Sequence, residues 1–142
     1  MRRKSGRIVA YIDGSSLGMY GYCIPKENIR VLTRDFPMTN NRAEYMALYV
    51  LLLNASEKTK IKVNCDSQLV VNQFRGIWKT NNPELKLIGA LCQKIVALKK
   101  LDVLIIWVPR KKNTFGRFLD REKRKQKKNR ERLKAKIARG YL

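Results

Sequence analysis

The sequence predicts an α/β fold in which helices flank a five-stranded mixed sheet. Three segments of alternating apolar and polar residues follow one another through short connections, over residues 7–13, 19–24 and 29–36, and this favours an antiparallel meander. Two further apolar segments, 61–65 and 102–108, are each reached through a helix, which is typical of parallel strands. Because the last segment consists almost wholly of apolar β-forming residues, we expect a strand that is central or covered on both faces.

Capping residues and apolar spacing predict four helices. Thr39 suits the N-cap of a helix over residues 40–56, in which apolar side chains recur every three to four positions. A shorter helix is expected over 67–74, and Pro83 suits the first turn of a helix that ends near residue 100. The last helix is expected over residues 113–138. The chain of 142 residues is 44% hydrophobic, which is enough for one good core.

The chain is strongly basic, with 32 Lys and Arg residues against 11 Asp and Glu residues and a net charge of +21. We predict a domain over residues 1–120 and a basic, helical C-terminal extension over residues 121–142, which carries 11 basic and 2 acidic residues. Such a charge favours an anionic partner. The extension lacks a substantial apolar face, so we expect it to bind the phosphate backbone of a nucleic acid, and we expect no membrane partner.

Several classes of protein are excluded by composition. No apolar run approaches the roughly 20 residues of a membrane-spanning helix, and we expect a cytoplasmic protein. The three cysteines, Cys23, Cys65 and Cys92, are far apart and odd in number, and the chain has no histidine. A Cys/His zinc site, a disulfide framework and a histidine base are therefore excluded. We expect the cysteines to be reduced and buried.

Three acidic residues are predicted to meet at one edge of the sheet. Asp13 ends the first strand, Asp66 follows the fourth strand, and Glu44 lies on the inward side of the first long helix. Clustered carboxylates repel one another unless a cation joins them, and oxygen ligands suit Mg²⁺ or Mn²⁺. Taken singly, Asp13 also suits a turn, Glu44 a capping box with Thr39, and Asp66 an N-cap. Taken together, the three acids favour a metal site for phosphoryl transfer.

Four short segments, in the right order and spacing, resemble the type 1 ribonuclease H family. Gly76, Trp78 and the helix from Pro83 also resemble it, and the match covers about residues 7–121. The four segments are YIDGSS (11–16), TNNRAEYMAL (39–48), NCDSQLV (64–70) and WVPRKKN (107–113). The resemblance implies the ribonuclease H-like fold and a nuclease that cuts the RNA strand of RNA–DNA hybrids with two divalent cations, Mg²⁺ or Mn²⁺.

The resemblance also implies roles for individual residues. Asp13 would bridge both cations, and Glu44 and Asp66 would complete the shell of the second. Four further residues match positions that touch the backbone or minor groove of the hybrid, which agrees with the way A-like duplexes are recognised. These four residues are Ser16, Asn40, Asn41 and Gln68.

The sequence departs from the family at the fourth catalytic acid, because Arg117 stands where the family has Asp. Asp120 lies one helical turn later and is the candidate replacement as catalytic residue and metal ligand. We expect it to reach the site only if the last helix is shifted by nearly a turn. Otherwise Asp120 is a surface acid paired with Arg117, Arg121 or Arg124. Arg117 itself would grip the scissile phosphate or take the place of the metal.

Three functions remain open at this point. The first is an active hybrid nuclease, favoured by the retained acids Asp13, Glu44 and Asp66. The second is a weakened or inactive nucleic-acid-binding module in an RNA-containing assembly or a mobile-element or replication system, favoured by Arg117 and the basic extension. The third, a strand-transfer or junction nuclease, is disfavoured by the segment at residues 39–42. We expect a monomer outside a nucleoprotein assembly.

Overall fold

Five strands form one mixed sheet in a computed structural model that describes residues 6–140. The strands are β1 (Ile8–Ser15), β2 (Met19–Ile24), β3 (Ile29–Arg34), β4 (Lys60–Cys65) and β5 (Asp102–Trp107). Their order across the sheet is β3-β2-β1-β4-β5. The first three pair antiparallel, whereas β4 pairs parallel with both β1 and β5. The predicted meander followed by two parallel strands is therefore confirmed.

Four helices complete the fold: α1 (Asn40–Asn54), α2 (Gln68–Phe74), α3 (Pro83–Lys99) and α4 (Thr114–Ala138). Each begins with a side chain that accepts a hydrogen bond from a backbone N–H of its first turn, which fixes the start of the helix. The capping residues are Thr39, Ser67, Asn82 and Asn113. Since Ser67 caps α2, the alternative N-cap role of Asp66 is wrong.

Helices pack on both faces of the sheet, because successive side chains of each strand point to opposite faces and both faces carry apolar residues. On one face Ala10 and Ile12 of β1 join the larger core with buried residues of α1, α2 and α3. On the other face Phe115 and Leu119 of α4 pack with a smaller buried group in β2. The amino-terminal turns of α4 are therefore held against the sheet.

The position of β5 differs from the prediction. It is an edge strand, and the side chains of Leu104 and Trp107 are 41% and 46% exposed. Ile105 is buried in the larger core, but α4 packs on β1 and β2 and leaves the opposite face of β5 open. The expectation of a strand that is central or covered on both faces is wrong, because apolar composition does not specify which strands a later helix covers.

Helix α4 continues through residue 120 without a break. Its first half packs on the sheet, whereas every residue from 127 to 140 is exposed. The twelve helical residues 127–138 extend over about 18 Å at the usual rise of an α-helix. The division into a domain over 1–120 and an extension stays a prediction.

A lysine from α3 closes the carboxyl end of α1. Lys99 Nζ donates hydrogen bonds to the carbonyl oxygens of Leu52 at 3.2 Å and Ala55 at 2.8 Å, and also to that of Leu53. The last carbonyls of a helix have no partner within the helix and carry partial negative charge. Lys99 donates hydrogen bonds to these carbonyls and places a positive charge beside them, and the contact links α1 to α3.

The cysteines and the length of the apolar helices were both considered from composition. Cys23, Cys65 and Cys92 are buried and free, as expected. Across residues 6–140, no helix combines the length and apolar character needed to cross a membrane.

Candidate active site

Asp13 and Asp66 lie side by side at one edge of the sheet. The parallel register pairs Ile12 of β1 with Cys65 of β4, and each acid is the next residue along its strand. The Asp13 side chain is 3% exposed and that of Asp66 is 10% exposed. The predicted proximity of the two acids follows directly from the pairing of β1 with β4.

Glu44 joins them because α1 crosses β1 at Gly14. A Cβ atom at Gly14 would overlap the Ala43 carbonyl group and lie 2.7 Å from the Glu44 backbone nitrogen. Only glycine allows the two backbones to approach so closely. One carboxylate oxygen each from Asp13, Glu44 and Asp66 lie within 4.8 Å of one another, and we call these three residues the acid cluster.

The acid cluster is electrostatically unfavourable without a cation. Burial raises the pKa of Asp13 to about 6, and the negative charge of Asp66 adds to the effect. Burial likewise raises the pKa of Glu44 to about 7, with further contributions from Asp13 and Asp66. Desolvation and like charges both disfavour ionised carboxylates. The site therefore favours a positive charge held among these oxygens.

Arg110, in the short turn before α4, provides such a charge. Its Nη1 contacts Asp13 and donates to Asp66 Oδ2 at 2.8 Å. Its Nη2 donates to Asp120 Oδ1 at 2.7 Å and to the carbonyl oxygen of Gly116 at 3.3 Å. Although burial opposes its charge, the three carboxylates raise the pKa of Arg110 above its ordinary value. The motif at residues 107–113 contains Arg110 but does not by itself reveal this role.

Asn113 holds the cluster to the start of α4. This fully buried side chain donates from Nδ2 to the carbonyl oxygen of Ile12 at 2.8 Å and to Asp66 Oδ2 at 3.1 Å. Its Oδ1 accepts from the backbone nitrogen of Gly116 at 3.0 Å. One amide thus fixes β1, the carboxylate of Asp66 and the first turn of α4 together, a role that the motif alone did not reveal.

The structure separates Asp120 from Arg117. Asp120 contacts Arg110 and forms a second ion pair with Lys123 at 3.3 Å. Burial opposes ionisation of Asp120, but Arg110 lowers its pKa below the ordinary value. Arg117 is exposed in the first turn of α4. The alternative pairing of Asp120 with Arg117 or other arginines of the same helix is therefore wrong, because its partners are Arg110 and Lys123.

The residues expected to touch a hybrid lie around the same edge. Ser16 follows β1, Asn40 and Asn41 begin α1, and Gln68 begins α2; all four are exposed. The backbone nitrogen of Ser16 donates to Asn40 Oδ1 at 3.0 Å, which joins the β1–β2 turn to α1. Each of these four residues lies within four positions in sequence of a member of the acid cluster.

Comparison with known proteins identifies the family. The profile described as RNase H matches residues 5–127. This chain belongs to the RNase H family. Ribonuclease HI of Halobacterium salinarum is 34% identical over an alignment of 94 residues, which covers 58% of this chain and 47% of that protein. A bifunctional protein of Mycobacterium tuberculosis is 37% identical over 80 residues, which are 55% of this chain and 22% of that protein. The alignments thus span less than half the length of these curated relatives.

Solved RNase H structures share the fold. RNase H1 from Halobacterium salinarum has a TM-score of 0.66 and 30% identity, with 76% of this chain and 89% of that chain covered. The N-terminal RNase H domain of a Mycobacterium tuberculosis protein has a TM-score of 0.60 and 29% identity, with 76% and 87% covered. LC11-RNase H1 in complex with an RNA/DNA hybrid has a TM-score of 0.62 and 25% identity, with 75% and 88% covered. The expected ribonuclease H-like fold is confirmed.

Proposed function

We propose that this protein is a metal-dependent endonuclease that cleaves the RNA strand of RNA–DNA hybrids. The observation that carries the proposal is the acid cluster, in which Asp13, Glu44 and Asp66 converge at the edge of an RNase H fold. A similar solved structure, that of LC11-RNase H1, is a complex with an RNA/DNA hybrid, and this supports the proposed substrate.

The residues present fit two divalent cations. All donors are carboxylate oxygens, the ligands that Mg²⁺ and Mn²⁺ favour. Burial first, and neighbouring carboxylates second, raise the pKa values of Asp13 and Glu44, and a bound cation would offset both effects. Asp13 would bridge the two cations, Glu44 and Asp66 would complete the shell of the second, and Asp120 would serve the first. When bound, the cations supply an activated water and neutralise charge that develops on the phosphate.

The protein groups keep this arrangement in place. Asn113 donates to one oxygen of Asp66, which orients that carboxylate before any cation binds. The close contact at Gly14 fixes Glu44 relative to Asp13. Arg110, whose side chain is 41% exposed, pairs with the acids, and cations held by the same carboxylates would compete with these contacts.

The exposed polar rim is proposed to position the hybrid. Ser16, Asn40, Asn41 and Gln68 present short hydrogen-bonding groups around the acid cluster, without any charge of their own. An A-like duplex displays its 2′-hydroxyl groups and base edges in a wide, shallow minor groove. Groups of this kind can contact the minor groove and backbone without reading a particular sequence, which suits a nuclease for hybrids in general.

A second candidate is a nucleic-acid-binding module of the same family with weakened cleavage. Two features favour it: the resemblance places Arg117 at the position of the family's fourth acid, and Arg110 already contacts three carboxylates. A module of this kind would bind the hybrid in an RNA-containing or replication assembly without turning it over efficiently.

The test is cleavage of an end-labelled RNA–DNA hybrid beside DNA and RNA duplexes of the same sequence, with Mg²⁺, Mn²⁺ or EDTA. The proposed nuclease cuts only the RNA strand of the hybrid, and only with a divalent cation. Asp13→Asn is the inactive control, because it removes the bridging carboxylate. Tight hybrid binding without cutting in either metal would reject the nuclease and leave the binding module.

A further inference from the structure

One side of α4 carries a line of basic residues that begins beside the candidate active site. Lys123, Lys127, Arg130 and Lys134 follow one another at intervals of four, three and four residues, which places them on one side of the helix. We call these four residues the basic stripe. Its first member lies 3.3 Å from Asp120, and Asp120 in turn contacts Arg110. The stripe is therefore continuous with the acid cluster.

A groove of about 490 Å³ follows the first three residues of the stripe. Its lining includes Leu17 of the β1–β2 turn on one side and Asp120, Lys123, Lys127 and Arg130 of α4 on the other. The same turn carries Ser16, one of the residues proposed to contact the hybrid. The groove thus leads away from the acid cluster between a substrate-binding turn and a row of cations.

The length and charge of the stripe suit a nucleic acid strand. From residue 123 to residue 134 the helix rises about 16 Å, a distance over which one strand of a duplex presents about five phosphates. Only two acids, Glu122 and Glu131, lie among residues 121–138, and neither belongs to the stripe. Glu122 is engaged by Arg34 and Lys125 away from the groove.

We propose that the basic stripe binds the phosphate backbone of the nucleic acid beyond the point of cleavage. The favoured substrate is then a duplex that continues past the acid cluster along α4. This inference rests on the proposed function, because the acid cluster defines where the bound hybrid is cut. It assigns the contact to one side of α4 and not to the basic extension as a whole.

The opposite side of the same helix provides a matched control. Lys128, Arg132 and Lys136 are exposed and lie roughly half a turn away from the stripe. Lys127→Gln/Arg130→Gln/Lys134→Gln and Lys128→Gln/Arg132→Gln/Lys136→Gln each remove three positive charges from the same part of α4. Lys123 is left intact in both variants because it contacts Asp120.

The experiment measures binding of a labelled hybrid of about 24 base pairs by fluorescence anisotropy, in EDTA and over a series of salt concentrations. The stripe variant is expected to weaken binding about 10- to 100-fold near 0.1 M salt and to reduce the slope of log Kd against log salt by about 2 to 3. The control variant is expected to change the slope by less than about 1. Far-ultraviolet circular dichroism checks that both variants keep the helix.

Equal losses in the two variants, or no loss in either, would overturn the stripe as a binding site. Failure of the proposed function has a different signature, because the wild-type protein would then bind the hybrid with the stripe-dependent slope but cut it in neither Mg²⁺ nor Mn²⁺. A wild type that cuts while the two variants bind alike would reject the stripe and leave the nuclease.

Discussion

Arg110 Nη2 donates a hydrogen bond to Asp120 Oδ1 at 2.7 Å, and this contact brings an acid of α4 to the guanidinium shared by Asp13 and Asp66. We expected Asp120 to reach the site only if the helix were shifted by nearly a turn. Helix α4 begins at Thr114, capped by Asn113, close to the start at residue 113 that the sequence predicts. The Arg110 side chain makes the connection, so a carboxylate of α4 is joined to the acid cluster through a shared guanidinium.

The first prediction concerns competition between Arg110 and divalent cations. Arg110→Gln leaves the acids uncompensated, so the metal-free protein should lose about 1–3 kcal/mol of stability after allowance for the partial exposure of the side chain. Mn²⁺ should then raise the melting temperature more in the variant than in the wild type, since the cation no longer displaces the guanidinium. Thermal unfolding in EDTA and in Mn²⁺ measures both effects. Arg117→Gln, at an exposed position, is the control, and an equal Mn²⁺ effect in all three proteins would contradict the prediction.

The second prediction concerns the pH dependence of Glu44. Its pKa is about 7 in the folded protein against an ordinary 4.5, so the stabilising protonated form is fully present below about pH 4.5 and is lost as the pH rises through 7. Glu44→Gln does not titrate. In EDTA, the free energy of unfolding of the variant should therefore rise relative to that of the wild type by up to about 3 kcal/mol between pH 4.5 and 7.5. Urea unfolding at several pH values measures the difference in stability between the two proteins. A difference that does not change with pH would show that burial does not raise the pKa of Glu44.

The third prediction concerns the contact between β1 and α1. Gly14→Ala places a methyl group on the Ala43 carbonyl and forces the two backbones apart, which should cost about 1–3 kcal/mol or more. Gly89→Ala, in α3, is the matched control, because its methyl group would meet only a ring atom of Tyr45 at 3.5 Å and alanine favours the helix. Chemical denaturation compares the two, and equal stability of the variants would show that the close approach at Gly14 is unimportant.

The fourth prediction concerns the carboxyl end of α1. Lys99→Met keeps the aliphatic chain but removes three charge-assisted hydrogen bonds to α1 carbonyls, so it should destabilise the protein by about 1.5–3 kcal/mol. Lys94→Met, at an exposed position in the same helix, should have little effect. Denaturation midpoints test the pair, and a Lys99→Met protein as stable as the Lys94→Met protein would contradict the capping role.

The positions of the main-chain elements and of the acid cluster were largely predictable from sequence. Neighbouring parallel strands end at the same edge of a sheet, so Asp13 and Asp66 were expected to meet once β1 and β4 were paired. The edge position of β5 was not predictable from its composition. Its apolar residues suit a covered strand equally well, and only the packing of α4 on β1 and β2 decides which faces stay open.

The roles of Arg110 and Asn113 could not be predicted from the sequence, for a different reason. Both residues lie in a motif that was recognised, but their function depends on where long or amide side chains reach after the chain has folded. Arg110 contacts Asp13 across 97 residues of sequence, and Asn113 contacts the Ile12 carbonyl across 101. Likewise, Ser67 and Asp66 are both good N-cap residues, and only the backbone geometry selected Ser67.

The most direct test of the account is single-turnover cleavage of an RNA–DNA hybrid by the wild type and by Asp66→Asn, Asp120→Asn and Asp102→Asn proteins in Mg²⁺ and Mn²⁺. Asp102, an exposed acid paired with Arg7 in the edge strand, is the control. The proposed nuclease function predicts cleavage by the wild type and the control, loss of about 100-fold or more in Asp66→Asn, and a smaller loss of about 10-fold in Asp120→Asn. Absence of wild-type cleavage in both metals, or full activity of Asp66→Asn, would contradict it.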